Sequence, residues 1–530
     1  MAARRKTFIA WAAVAGVVSA AAFLAAAELI ALLVAPQASP LLAVGSFVID
    51  IVPQPFKEFA ISTFGEYDKI ALLVGLGLAV LVAAVIAGVL EYVRPPIGAA
   101  LLVVAGVLSG AAILTRAGAG FLSALPPLAG TIAGVALLFL LGRRLRAWRD
   151  GSVTAGNRAD PVTAGTDTAD APRPGSSRRG FLGLTLITAA ASVVVGVGSR
   201  VIAATTSSIA AARDAIRLPA VRSTVTVPTG AEADVEGLTP LFTPNADFYR
   251  VDTALTVPEI DPSTWRLVID GMVDQRIELS FDDLVNMGLD EYGITLTCVS
   301  NEVGGGLVGN AIWQGVAIRD ILAMAGPQSG ADMVLSRSVD GYTASTPLDA
   351  LTDDNRDAIF AVAMNGEPLP LEHGFPVRMV VPGLYGYVSA TKWVTELKVT
   401  TFEADEAYWT PRGYAAEAPI KLSSRIDTPR SGTPVDAGTV AIAGMAWAQT
   451  VGIDRVEVSI DDGDWQPATL STPINADTWV QWWVEWQAEA GTHYVTVRAI
   501  DSAGTMQTEE RAPIAPNGSS GWQRTLVTVR

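Results

Sequence analysis

One cysteine, Cys298, and two histidines, His373 and His493, are the only thiol and imidazole groups in 530 residues. A single thiol excludes an intrachain disulfide, a CxxC redox pair, a zinc ribbon and a CxxCH haem attachment. Both histidines fall in the second half of the sequence, so the apolar front half cannot hold a haem between two imidazoles. Positive charge is also short: 37 Lys and Arg stand against 53 Asp and Glu, a net of −16 at pH 7. That balance argues against a nucleic-acid partner. What the chain has in excess is apolar residues, 50% of the total with a mean hydropathy of +0.36. They crowd into residues 1 to about 205, and the remainder has the composition of a globular protein.

Five stretches, 8–35, 70–91, 96–115, 121–142 and 181–204, are apolar over the length needed to cross a bilayer, roughly 20 residues. Short loops make the second, third and fourth antiparallel neighbours. Lysine and arginine mark the cytoplasmic side: "MAARRK" precedes the first span and "GRRLRAWRD" follows the fourth. An odd number of spans then puts everything beyond residue 205 outside the cytoplasm. The front of the chain divides into four transmembrane helices (1–149), a cytoplasmic linker (150–180), a fifth helix (181–205) and an extracytoplasmic linker (206–239). In the cytoplasmic linker, "SRRGFLGL" resembles a twin-arginine export signal through Arg178 and Arg179; it equally suits a plain positive-inside anchor. Glu28 is the one acid inside a span, either functional or reaching for the interface. Residues 37–69 read as a partly amphipathic segment on the outer surface.

From residue 240 the text changes to short strand-length pieces such as "STWRLVIDGMV" and "YGITLTCVS". Between them lie short helices: "SFDDLVNMG" starts on a Ser N-cap, and "AIRDILAMAG" ends on a glycine. This mixture predicts an α+β domain over 240–422. Beyond it the pattern is purely β: "RVEVSIDDGDWQP" sets Val456, Val458 and Ile460 on one face before a turn. Residues 423–530 therefore predict an immunoglobulin-like β-sandwich. Trp479, Trp482, Trp483 and Trp486 read as its sheet packing rather than as a ligand cage.

A lone cysteine is first of all a small buried hydrophobe. Three features of "TLTCVSNEVGGGLVG" and its distant companion shift that reading. Consecutive glycines place bare backbone N–H groups where a ligand can approach. An exported thiolate is exposed to oxidation unless it is coordinated. The third is the run "MNGEPLPLEHGFPVRMVVPGLYGYVSATKW".

With that run, residues 240–520 resemble the sulfite oxidase-type molybdenum enzymes. "TLTCVSN" matches the family's cysteine strand, "MNGEPLPLEHGFPVRMVVPGLYG" its cofactor-clamping segment and "DPSTWRLVIDGMV" its opening strand. The five-span front resembles membrane-attached actinobacterial versions. The resemblance implies a molybdopterin cofactor with Cys298 as the protein's thiolate ligand to molybdenum, and a soft thiolate suits such a metal. It carries the pterin and phosphate contacts onto His373, Arg378, Ser389, Thr391 and Lys392, and onto Asn245, Tyr249 and Arg250 in "NADFYR". It also implies dimerisation through the sandwich.

Departures from the family are confined to the substrate side. Ala-Gly-Asn-Arg-Arg after the family's cysteine is here Val299, Ser300, Asn301, Glu302 and Val303, so a negative charge replaces positive ones. The family's metal-facing tyrosine is Val362, and its sandwich arginine falls near "WAQTVGIDR". The expectation is a membrane-anchored, extracytoplasmic oxidoreductase that moves an oxygen atom to or from a small substrate other than sulfite. Cys298 would hold the metal, with Asn301 and Glu302 setting the polarity around the substrate. Without haem or iron–sulfur ligands, electrons would pass to a separate carrier, a redox subunit or a quinone. The alternative is a non-catalytic binding or scaffold protein on the same fold, which Glu302 and Val362 favour and Cys298 with its basic companions disfavours.

Overall fold

A computed structural model of the chain describes residues 2–34, 39–52, 63, 68–114, 121–157, 174–205 and 208–530. It forms two compact units, 1–207 with 254–256, and 208–253 with 257–530.

The first unit is helical: Ala2–Val34, Pro40–Ile51, Asp68–Val93, Ile97–Leu114, Leu125–Asn157 and Pro174–Thr205. Four windows, Lys6–Leu33, Ile70–Val93, Ile97–Leu114 and Phe121–Asp150, have the length and composition to cross a membrane. The fifth expected span lies on Pro174–Thr205, whose side chains beyond residue 193 fall outside the described residues. Of the expected surface segment 37–69, residues 37–38, 53–62 and 64–67 also fall outside them. Small residues let the first and third helices touch. A Cβ added at Gly88 would sit 2.2 Å from the Ala12 carbonyl oxygen, and one at Gly16 2.0 Å from that of Ala84. Large apolar side chains such as Val74, Leu78, Val107, Leu108 and Ile132 are exposed on this unit. Glu28 accepts a hydrogen bond from the Ser39 hydroxyl at 2.5 Å. A second acid, Glu91, is buried and accepts from the Ala99 amide at 3.0 Å; at the edge of a span, it escaped the sequence reading. The helix Leu125–Asn157 continues eight residues into the stretch expected to be linker, and 158–173 lie outside the described residues.

The second unit opens with a short helix, Ser208–Ala215, whose Arg213 donates to the carbonyls of Pro368 and Leu369 at 2.7 and 2.8 Å. Its α+β part contains ten strands. They are β1 (Arg266–Gly271), β2 (Ile277–Ser280), β3 (Asp290–Thr297), β4 (Val308–Ala317), β5 (Met333–Ser338), β6 (Thr343–Pro347), β7 (Ile359–Met364), β8 (Glu367–Pro368), β9 (Arg378–Val380) and β10 (Val394–Thr400). One sheet runs β2-β1-β10-β5-β6 with only β1 and β10 parallel; the other runs β3-β4-β7-β8, with β9 on β7. Between them sit the two helices read from their caps. Ser280 closes a capping box with Asp283 at the start of Phe281–Asn286, and Gly326 takes the left-handed conformation after Ile318–Ala325.

Strands β3, β4 and β7 are buried on both faces, so they read as continuous apolar runs rather than alternating ones. Thr295, a polar residue inside β3, is paired on both sides. The Thr295 hydroxyl donates to Asn310 Oδ1 at 2.9 Å and accepts from the Trp479 amide at 2.8 Å.

Residues 423–530 form two four-stranded antiparallel sheets. The first contains β11 (Ser423–Thr428), β12 (Gly438–Trp447), β15 (Thr469–Leu470) and β16 (Val480–Ala488); the second contains β13 (Ile453–Ile460), β14 (Gln466–Pro467), β17 (Gly491–Asp501) and β18 (Gln523–Val529). Alternate residues of both meet in one core around Ile442, Val456, Val458, Trp482, Val495 and Val497. The Trp479 indole bridges back to the α+β part, donating to the Leu241 carbonyl at 2.8 Å.

Candidate active site

Strand β3 delivers Cys298 to the floor of a cavity of about 140 Å³. The loop that follows is closed by its own backbone: Cys298 N–H donates to the Leu307 carbonyl at 2.9 Å, and the Asn301 amide returns to the Cys298 carbonyl at 3.0 Å. Asn301 Oδ1 accepts from the Leu307 amide at 2.8 Å, tying both ends of the glycine run together. Two further segments complete the walls. Residues 371–378 bring His373 and Arg378, and 386–393 bring Tyr387, Lys392 and Trp393. Trp393 sits at φ +52°, rare for a bulky residue, and its indole donates to the Leu371 carbonyl at 3.0 Å, which fixes the two segments side by side.

One end of the cavity is basic. Arg378 is buried, lies 5.1 Å above the Trp313 ring and donates only to carbonyl oxygens, that of His373 at 3.2 Å and those of Met379 and Ala390 at 3.4 and 3.5 Å. Among the described residues no carboxylate pairs with it. Burial lowers its pKa to about 10. Lys392 is largely covered, its side chain 9% exposed, and is brought down to about 8 by desolvation against the pull of Asp252, whose carboxylate it meets at 2.7 Å. The same carboxylate receives Arg250 at 2.8 Å. His373 is held neutral, its pKa lowered to about 4 by burial and by Arg378, and its Nε2 donates to the Asn245 carbonyl at 3.0 Å. The buried thiol of Cys298 is pushed up by desolvation, against hydrogen bonds from Ser300. A coordinated metal would reverse that shift outright.

Among the described residues two buried hydroxyls have no partner: those of Ser338, which lines the cavity, and of Thr297 beside Cys298. Buried polar atoms left unpaired in a native fold call for a ligand or solvent. The thiol, the uncompensated guanidinium and the orphaned Ser338 hydroxyl therefore fit a ligand with a soft metal at one point and an anionic terminus at another. No cluster of three His, Cys, Asp or Glu exists among the described residues, so the metal would arrive with most of its ligands already attached.

The expected site residues divide into three groups. Tyr249, Cys298, His373, Arg378 and Lys392 line one cavity. Behind the wall, Asn245 anchors His373, and the Ser389 hydroxyl donates to the carbonyls of Leu384 and Tyr385 at 3.1 and 3.0 Å. Also behind it, Thr391 pairs with Ser336 at 2.7 Å, and Arg250 reaches the cavity only through Asp252. Asn301 and Glu302 lie elsewhere. Asn301 clamps the glycine loop, and Glu302 is exposed and lines no part of this cavity. The reason is the tight turn after Cys298, which carries the chain away from the thiol within three residues.

The glycines themselves border a second cavity of about 400 Å³ with Arg425, Asp427 and Arg430. Gly304 lies at φ +81° against Gln523, where a Cβ would come within 2.7 Å, so its role is close approach to the β-sheets. Val362 is buried in β7 rather than facing the cavity. The sequence reading missed Tyr342, Tyr387, Trp409 and Tyr414, which form the other end of the first cavity.

Comparison with known proteins agrees with this geometry. The family described as oxidoreductase molybdopterin binding domain matches residues 254–409, and the Mo-co oxidoreductase dimerisation domain matches 415–516. Human mitochondrial sulfite oxidase is 33% identical over 372 residues, covering 60% of this chain and 67% of that protein. Chicken sulfite oxidase is 31% identical over 352 residues, 57% of this chain and 76% of that one. Barley NADH nitrate reductase is 28% identical over 333 residues, 51% and 36% respectively. Among solved structures, the sulfane dehydrogenase SoxCD of Paracoccus pantotrophus aligns with TM-score 0.49 and 23% identity, covering 57% of this chain and 86% of that one. With the matched segments containing both the thiol and the basic wall of one cavity, the chain belongs to the sulfite oxidase-type family and is a molybdenum-dependent oxidoreductase carrying a molybdopterin cofactor.

Proposed function

We propose that this enzyme is anchored in a cell membrane with its catalytic half outside the cytoplasm, and that it exchanges an oxygen atom with a small substrate other than sulfite. One observation carries the reading: a lone thiol and a buried guanidinium without a counter-ion line the same cavity. Cys298 would ligate the molybdenum. Arg378, Lys392 and the Ser338 hydroxyl would hold the pterin and its phosphate, with His373 and Tyr249 shaping the pocket around them. Bound there, the cofactor supplies two-electron oxygen-atom chemistry.

The anchoring rests on the four long apolar helices and on the fifth hydrophobic stretch. Lysine and arginine at "MAARRK", "GRRLRAWRD" and the exposed pair Arg178–Arg179 favour an extracytoplasmic second unit. The pair also suits a twin-arginine signal, a route that would carry the catalytic half across already folded. The two facing sheets of 423–530 support an immunoglobulin-like sandwich, and the dimerisation-domain match supports a homodimer. One cysteine and two histidines leave no ligand set for a haem or iron–sulfur relay, so electrons would leave through a separate carrier, subunit or quinone.

Sulfite is disfavoured because, once Arg378 and Lys392 are given to the cofactor, the cavity offers a dianion no further cation. Molybdenum analysis of the protein purified from a cofactor-competent host tests the reading. Near-stoichiometric metal is expected, and its absence would overturn it.

A further inference from the structure

The cavity beside Cys298 has two chemically different ends, and an anionic cofactor accounts for only the basic one. We infer that the other end recognises the substrate through an alkylated cationic centre, a methylated ammonium or sulfonium, and not as an oxyanion. The inference rests on the molybdopterin reading of the same cavity.

Tyr342, Tyr387, Trp409 and Tyr414 line this end. The Tyr387 and Tyr414 rings are 5.5 Å apart at 60°, and those of Trp409 and Tyr414 are 5.2 Å apart at 70°. Neighbouring rings thus meet at steep angles, like the walls of a box, rather than lying in a parallel stack. The Tyr342 hydroxyl donates to the Tyr387 carbonyl and the Tyr387 hydroxyl to the Ala415 carbonyl, both at 2.7 Å. Those phenols spend their protons on backbone and have none to offer an oxyanion.

Asp340 supplies the charge. It lines the same cavity, one of its oxygens accepts the Tyr342 amide at 3.1 Å, and among the described residues no lysine or arginine pairs with it. The cavity's cations belong to the other cluster, Lys392 on Asp252 and Arg378 over Trp313. Aromatic walls with one unpaired carboxylate attract an alkylated cation through ring quadrupole and charge together. An oxyanion placed there would meet a like charge.

Isothermal titration of the full-length holoenzyme in detergent, with tetramethylammonium chloride and sodium sulfate as probes at matched ionic strength, tests this. Saturable binding of tetramethylammonium is expected, with none for sulfate and about a tenfold loss in Asp340→Asn and in Trp409→Leu. Molybdenum content of each preparation shows whether a variant has kept its fold, and the near-isosteric Asp340→Asn covers the case in which Trp409→Leu loses the metal. No saturable cation binding by the metal-loaded wild type, unchanged affinity in Asp340→Asn, or preferential sulfate binding each overturns the inference. A wild type without molybdenum would instead overturn the cofactor reading, and the same titrations would still decide the aromatic end.

Discussion

Replacing Arg378 with methionine separates a residue that binds from one that merely holds the fold. Burial lowers the guanidinium pKa from 12.5 to about 10, so keeping it charged costs the cofactor-free fold on the order of 3 kcal/mol. Against this stand three hydrogen bonds to carbonyls, two of them long at 3.4 and 3.5 Å, and the Trp313 face at 5.1 Å. A good charge-assisted bond contributes ~1.5–3 kcal/mol and a cation–π contact ~0.5–2 kcal/mol, so the two sides nearly cancel. Methionine fills the space flexibly. The cofactor-free Arg378→Met protein should therefore stay within about 2 kcal/mol of wild type, whereas breaking a buried structural ion pair costs ~3–5 kcal/mol. With cofactor the outcome differs: losing one charge-assisted contact of ~1.5–3 kcal/mol should weaken retention by roughly 10- to 150-fold. The assay pairs thermal denaturation of protein made in a cofactor-deficient host with molybdenum and pterin content after gel filtration of the loaded protein. A large drop in apo stability with cofactor content unchanged would refute the reasoning.

Three further outcomes follow. His373 has a folded pKa of about 4, below the ordinary 6.5, so the unfolded chain binds more protons between these values and stability falls as pH drops from 6.5 to 4. His373→Gln should flatten that slope in pH-dependent denaturation. Lys392, at about 8, lies below its ordinary 10.5. Its burial penalty in the cofactor-free protein is thus present below pH 8 and relieved between 8 and 10.5, while its attraction for an anionic cofactor fades as pH rises through 8. Cofactor retention across pH 7 to 9.5 should show this loss, and Lys392→Met should lower retention at pH 7 and remove the dependence. Glu302→Gln should leave steady-state turnover within about twofold of wild type, because the side chain is exposed and outside the cavity; a tenfold change would return Glu302 to the site.

Local signals carried well into three dimensions. Ser280 caps its helix, Gly326 ends the next one, and Val456 and Val458 point into the core between the two β-sheets, as capping chemistry and alternation require. Cys298 ends its strand facing a cavity, and the run containing His373, Arg378 and Lys392 forms the opposite wall. What the sequence hid was direction. Nothing in "CVSNEVGGG" says that the chain turns so sharply that Glu302 leaves the cavity and Gly304 packs beside Gln523. The aromatic end was hidden for another reason: Tyr342 and Tyr414 are 72 positions apart, and no periodicity links residues that meet only through tertiary packing. Ser389 and Thr391 show the converse. Adjacency to Lys392 placed them in the same motif, yet their hydroxyls face backbone and Ser336.

The most direct test of the central claim is X-ray absorption at the molybdenum edge, counting sulfur neighbours of the metal in wild type and in Cys298→Ser. The account predicts one sulfur fewer in the variant, with the pterin still bound through Arg378 and Lys392. An identical count in the two proteins would contradict it.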